Sequence, residues 1–360
     1  MERAYNFSAG PAVLPMEVLE ATAQASLNFN GLGMSIMEMS HRSKEYDVVI
    51  KEAQADALKI MNLSADEYEV LFLGGGASTQ FLMIPYNFLK TQADYLHTGV
   101  WAGKAIKEAE KIGKVNVIAS SKDTTFNYIP KDFVITPDAD YVHITTNNTI
   151  YGTEFRKDLE VGNVPFFADM SSDMFAVQRD FSKYDLIYAG AQKNIGPAGV
   201  TLVVIKKSLM ERQRKVENMF TMLDYNTHLN NESMFNTPPC LPIYVVGQTF
   251  KWILKNGLDA IEANNIKKAA VLYDFMDASN GYYAPTVKNH EDRSLMNVCF
   301  NLATPELEAK FIADAKAAYN MTNLKGHRSV GGVRASIYNA APIEWVETLV
   351  KFMEKFQKEN

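Results

Sequence analysis

Cysteine is almost missing from this chain. Cys240 and Cys299 are the two among 360 residues, too few and too widely spaced for a disulfide framework or a zinc site with paired ligands. No apolar run approaches the roughly 20 residues of a membrane-spanning helix. The opening residues, Met1-Glu2-Arg3-Ala4-Tyr5, lack the apolar core of a secretory signal. Long runs of Lys and Arg are absent too, and 36 basic against 42 acidic residues leave a formal net charge of −6. Nucleic acid requires clustered cations to neutralise its phosphates, so it is disfavoured as a partner, as is a membrane. No carboxylate pair at helical spacing marks a metal site, and no metal is expected. The simplest setting for such a chain is the reducing cytoplasm.

What is present is apolar material in a regular rhythm. Hydrophobic residues make up 47% of the chain, enough for a large core divided over about two domains. Helical spacing marks 16–27, behind Pro15, and 43–61, with a Gly- and Asn-rich loop between them. From Glu69 short apolar runs follow at 69–73, 94–98, 115–119, 141–145, 165–168, 186–189 and 199–205, with helical stretches at 77–89 and 102–112. Strands buried on both faces read as continuous apolar runs. The sequence therefore predicts an α/β fold with a mostly parallel sheet between helices; one antiparallel strand within it would not show. Residues 219–242, rich in Asn, Thr and Pro, read as a long functional or interfacial loop. Helices are expected at 243–256, 258–276, 305–319 and 342–357, and strands at 296–300 and 334–338. The expected division is an irregular N-terminal arm over 1–15, a large domain over 16–257 and a small α+β domain over 258–360.

Lys193 follows the run 186–189, in Ala189-Gly190-Ala191-Gln192-Lys193-Asn194. Ligands of open parallel sheets lie beyond the carboxyl ends of the strands, where a lysine enters a crevice. Desolvation or a cationic neighbour removes its proton and makes it a nucleophile for an aldehyde. Alone, it reads as readily as a surface lysine in a turn. Asp169, directly after the preceding strand in Phe167-Ala168-Asp169-Met170-Ser171-Ser172, could simply cap a turn. Together the two suit pyridoxal phosphate, which works as an electron sink when an acid keeps its ring nitrogen protonated. Gly74-Gly75-Gly76-Ala77-Ser78 adds a tight turn and a helix start fit for a phosphate. It matches neither the dinucleotide fingerprint nor the P-loop. Trp101 offers an aromatic face to a flat ring. His41-Arg42 and His327-Arg328 with Arg334 lie in loops or near glycines, and the arginine fork suits carboxylates and phosphates. They point to a substrate with more than one anionic group.

Asn6-Phe7-Ser8-Ala9-Gly10-Pro11, His41-Arg42-Ser43, Gly74-Gly75-Gly76, Ala168-Asp169-Met170-Ser171-Ser172, the Lys193 segment and Gly326-His327-Arg328 occur in this order across nearly the whole chain. The set resembles the phosphoserine aminotransferase family, among the fold-type I pyridoxal-phosphate enzymes. The resemblance implies that Lys193 forms the Schiff base with pyridoxal 5'-phosphate and moves the proton of the substrate Cα. It implies that Asp169 pairs with the ring nitrogen, Trp101 stacks on the ring and Thr149 bonds its 3'-oxygen. Gly76, Ala77, Ser78 and Gln192 would hold the phosphate, with Asn236 and Thr237 reaching it from the second subunit of a homodimer. Arg334 would bind the substrate α-carboxylate. His41 and Arg42 of the other subunit, with His327 and Arg328, would take the substrate phosphate or the distal carboxylate of glutamate.

The implied reaction converts O-phospho-L-serine and 2-oxoglutarate to 3-phosphooxypyruvate and L-glutamate, in serine biosynthesis. The family's activity on 4-phosphohydroxy-L-threonine would add a role in pyridoxine biosynthesis. One position departs from a pattern of some members: Ala77 stands where they carry an arginine, so the other cations must bind the anionic tail. Alanine:glyoxylate transamination and cysteine desulfuration are the neighbouring alternatives, and a non-catalytic sugar or nucleotide binder on a similar sheet is the alternative of another class.

Overall fold

Nearly every apolar run of the sequence becomes a strand. The computed structural model describes residues 3–360. It begins with β1 (Tyr5–Asn6), α1 (Met16–Leu27) and α2 (Lys44–Met61). Next come β2 (Tyr68–Leu73), α3 (Gly76–Phe88), β3 (Gln92–His97), α4 (Val100–Ala109), β4 (Lys114–Ser120), β5 (Val142–Thr145), β6 (Phe166–Asp169), β7 (Leu186–Gly190) and β8 (Thr201–Lys206). Then α5 (Tyr225–Leu229), α6 (Cys240–Asn256) and α7 (Leu258–Asp277) lead to β9 (Ala284–Pro285), β10 (Asn297–Asn301), α8 (Pro305–Tyr319), β11 (Met321–Thr322), β12 (Val333–Ser336) and α9 (Ile343–Glu359).

Seven strands form one sheet in the order β2-β8-β7-β6-β5-β3-β4. All run parallel except β8, which is antiparallel to both of its neighbours. Successive side chains of a strand point to opposite faces. Leu202 and Val204 accordingly enter a core with α2 and α6, while Val203 and Ile205 enter another with α3 and α4. Both faces are covered, so β8 has no polar side to betray its direction.

A smaller C-terminal α+β domain follows, built on the antiparallel sheet β12-β10-β9. Its core takes Leu272 and Met276 of α7, Phe311 of α8, and Leu349, Phe352 and Phe356 of α9. Thr304 caps α8 by accepting the Leu307 N–H, with Pro305 in the first turn and Asn320 in the left-handed conformation closing the helix. Among the described residues no helix is long and apolar enough to cross a membrane, and no three His, Cys, Asp or Glu gather as a metal site.

Two expectations need correction. The arm read as irregular contains β1, which pairs in parallel with β11. Phe7 of the arm donates its N–H to Thr322 O at 3.1 Å, accepts the Ser336 N–H at 3.2 Å, and buries its ring completely in the C-terminal core. A two-residue strand is too short to carry a readable period. The stretch 219–242 likewise holds α5, started by the Asp224 carboxylate accepting the Asn226 N–H, and the first residues of α6.

Replacing the Phe7 ring should open a cavity between the arm and β12. Phe7→Ala is expected to lower stability by about 3–5 kcal/mol, measured as a fall in the urea midpoint at unchanged slope. A change under about 0.5 kcal/mol would mean that the arm is not anchored there.

Candidate active site

Five parallel strands end on the same side of the sheet, and the loop after each supplies part of one cavity of about 340 Å³. After β2, Gly75 and Gly76 take φ of +85° and +67°. A Cβ on Gly75 would lie 1.8 Å from Thr79 Oγ1, so the turn into α3 requires glycine there. α3 starts without a side-chain cap, which leaves its first N–H groups available. Gly76, Ala77 and Ser78 line the cavity.

Beyond β3, Trp101 in the first turn of α4 donates its indole N–H to Thr149 Oγ1 at 3.2 Å. Thr149 belongs to the turn after β5, which Asn148 fixes by donating to Thr98 O at 2.7 Å. Arg334 arrives from β12 of the other domain and donates to Thr149 O at 2.7 Å. Through these two contacts Thr149 ties the aromatic wall to the guanidinium.

The ends of β6 and β7 bring Asp169 and Lys193 to the same cavity. Ser171 couples these strands: its N–H donates to Asp169 Oδ1 at 2.9 Å, and its hydroxyl accepts the Gly190 N–H at 3.1 Å. The N-terminal arm closes over Gln192 and Lys193. Ala12 donates its N–H to Gln192 O at 2.9 Å, and Gly10 lies so close that a Cβ would sit 3.4 Å from Lys193 Cγ.

The electrostatics of the two groups oppose each other. Asp169 is buried, and desolvation holds its carboxyl above the usual range despite hydrogen bonding from Ser171 and the field of Lys193. Desolvation also lowers Lys193 against the attraction of Asp169 and Asp173, with Arg334 adding to the lowering. Burial thus favours the neutral form of each. Nearby, the buried hydroxyl of Thr145 lines the cavity without a hydrogen-bond partner. A desolvated carboxylate without a full counter-charge, a lysine with a depressed pKa and a helix start fit a phosphorylated, cationic ring. Such a ring would meet Asp169 with its positive nitrogen, Lys193 with its reactive carbon and residues 76–78 with its phosphate.

Gly76, Ala77, Ser78, Trp101, Thr149, Asp169, Gln192, Lys193, His327 and Arg334 all line this cavity. His41, Arg42, Asn236, Thr237 and Arg328 do not line it in the single chain. Arg42, Asn236, Thr237 and Arg328 are exposed. His327 and Arg328 part company because they are successive residues of a tight loop, in which the His327 carbonyl accepts the Gly331 N–H. Desolvation first, then Arg334, Arg328 and Lys104, lowers the His327 pKa.

Further lining residues went unassigned from the sequence: Ala9, Gly10, Thr145, Asn147, Ile150, Ser171 and Ser172. Of these, Ala9, Gly10, Ser171 and Ser172 fall within the motifs that carry the family resemblance, where no role was given to them. A contact between the arm and the Lys193 loop has no local signature.

The chain belongs to the class-V aminotransferase family, whose model matches residues 4–349. Within it the chain falls among the phosphoserine aminotransferases. It is 51% identical over 357 residues to that of Phocaeicola vulgatus, covering 98% of this chain and 99% of the relative. The solved phosphoserine aminotransferase of Bacillus circulans subsp. alkalophilus superposes with a TM-score of 0.96 at 47% identity, covering 100% and 99% of the two chains. The PLP-bound phosphoserine aminotransferase of Trichomonas vaginalis gives a TM-score of 0.91 at 36% identity, covering 98% and 100%.

The raised pKa of Asp169 gives a signed expectation for the cofactor-free protein. A carboxyl raised above its unfolded value of 3.8 destabilises the fold above that pH, and the penalty disappears below it. Apo Asp169→Asn should therefore melt above apo wild type at pH 7, with the difference vanishing below about pH 4. Its affinity for pyridoxal phosphate should fall on the order of 100-fold. A variant that melts lower at pH 7, or keeps full affinity, would contradict this electrostatic assignment.

Proposed function

We propose that the chain catalyses the reversible transfer of an amino group between O-phospho-L-serine and 2-oxoglutarate, giving 3-phosphooxypyruvate and L-glutamate. The reading is carried by Lys193 and Asp169 on adjacent strand ends, facing one cavity with Arg334, in a chain about half identical to phosphoserine aminotransferases. The reaction belongs to serine biosynthesis. Action on 4-phosphohydroxy-L-threonine would extend it to pyridoxine biosynthesis, and the cytoplasm is the proposed location.

Pyridoxal 5'-phosphate, when bound, withdraws the electron pair left at the substrate Cα. The residues of the chain do the rest. Asp169 keeps the ring nitrogen positive, and its desolvation sharpens its preference for a cationic partner. Lys193 would hold the cofactor through its amine; once the substrate amino group has displaced it, the freed amine, held toward the neutral form by burial, can take the proton from the substrate Cα. Trp101 covers the ring and Thr149 holds the ring oxygen. The N–H groups and hydroxyl of residues 76–78, with Gln192, bind the phosphate. Arg334, already fixed on Thr149 O, orients the α-carboxylate.

The anionic tail of the donor would meet His327 at the cavity wall, with Arg328 turning in from its exposed position on the same loop. His41 and Arg42 would join them from a second subunit, which would also bring Asn236 and Thr237 to the cofactor phosphate. That arrangement makes the homodimer part of the site and accounts for the absence of these four residues from the cavity of a single chain. The apolar surface near His41 supports it: Leu32, Met34, Met37 and Val48 are exposed. Residues 16–257 are proposed as the cofactor-binding domain and 258–360 as the small domain.

The test is a single-turnover experiment in which the loaded enzyme is mixed separately with O-phospho-L-serine, L-glutamate, L-serine and L-alanine. The visible cofactor band should be lost rapidly with the first two and at least about 100-fold more slowly with the others, the range open to a charge-reading site. Rapid loss with alanine and slow loss with phosphoserine would overturn the substrate assignment.

A further inference from the structure

One cation against the aromatic wall of the cavity has no task so far. Lys104 stands one helical turn beyond Trp101 on α4, exposed, with Nζ 4.2 Å from the centroid of the indole ring. Trp101 forms a wall of the cavity. With Arg334 and Arg328, Lys104 is one of the charges that push the His327 imidazole toward its neutral form, after desolvation. All three positive groups therefore act on His327, which itself lines the cavity with Arg334.

Among the described residues none of Lys104, Arg328 and Arg334 forms an ion pair with a carboxylate. Acidic residues outnumber basic ones in this chain, so counter-charges are not scarce. Like charges gathered without them raise each other's free energy, and an anionic ligand relieves the strain. The phosphate turn of residues 74–78 brings no cation of its own, since Ala77 is neutral. A lysine that is itself exposed gains only a weak contact from an aromatic ring. Its four-carbon stem lets the ammonium exchange that contact for a charge-assisted hydrogen bond.

We propose that Lys104 is a specificity residue, which recognises the second anionic group of the donor, phosphate or distal carboxylate, from the Trp101 side of the cavity. The proposal rests on the transaminase reading above. It assigns Lys104 to binding rather than to the proton transfers, and it predicts discrimination between donors instead of a general loss of rate.

The test compares wild type, Lys104→Met and Lys104→Arg as loaded enzymes, with O-phospho-L-serine and L-alanine as donors. In Lys104→Met the ratio of kcat/KM for phosphoserine to that for alanine should fall about tenfold, the loss of one charge-assisted bond. The fall should lie in KM, with kcat for phosphoserine within about twofold and a shallower dependence of kcat/KM on salt. The cofactor band should match that of wild type, and Lys104→Arg should recover most of the ratio. An unchanged ratio, equal losses for both donors, or loss of the cofactor band would overturn the proposal. A wild type that shows no preference for phosphoserine would instead overturn the substrate reading, independently of Lys104.

Discussion

A carboxylate buried at the end of β6 without a full counter-charge is the constraint on which the other parts of the site depend. Asp169 is desolvated enough to sit above the usual carboxyl range, and an isolated buried charge is tolerated only where structure compels it. Compulsion comes from behind the strand. Thr146 donates its hydroxyl to Asp169 O at 3.1 Å and to Asp173, and Asp173 is held by Arg179 at 2.9 Å. Arg179 is held in turn by Asp158 at 3.1 Å. The backbone that carries Asp169 is thus clamped by a buried ion pair, while the carboxylate, bonded only to Ser171, can still take a cation from the cavity. Stability is surrendered locally in favour of an electrostatic demand that a ligand can satisfy.

The same logic links the two domains. Asn147, in the floor of the cavity, donates to Ser172 Oγ and to Asn297 Oδ1, both at 2.8 Å. Asn297 of β10 donates to Ser336 Oγ at 2.9 Å and to the Tyr338 hydroxyl, and Tyr338 donates to Ala9 O of the arm at 2.9 Å. Lys268 of α7, fully buried, donates to Ile337 O, Tyr338 O and Ala341 O. Satisfied buried networks of this kind hold one geometry, because each broken bond would leave a polar group stranded. Arg334 therefore reaches the cavity on a strand whose position is set by the floor beneath Asp169.

The parallel sheet is legible in the sequence because its strands are apolar on both faces, and Lys193 and Asp169 stand out because they follow two such runs. The direction of β8 is not legible, since hydrogen-bond polarity leaves no mark on a strand with two covered faces. Nor is the role of the arm, where β1 is too short for a period and Phe7 is placed by contacts with residues more than 300 positions away. The separation of His327 from Arg328 depends on the turn geometry of the 326–332 loop, which pair order alone does not encode. Lys104 escapes a sequence reading for a simpler reason: it occupies an ordinary helix position three residues after Trp101, and only the fold brings His327 within reach of its charge.

The chemistry of the site turns on Lys193, among the lysines of this chain, as the residue that would hold the cofactor. The most direct measurement is borohydride reduction of the loaded enzyme, followed by proteolysis and mass spectrometry of the peptides. One equivalent of reduced cofactor per chain is expected, on the peptide that contains Lys193. Cofactor on a different lysine, or none retained after reduction, would contradict this assignment.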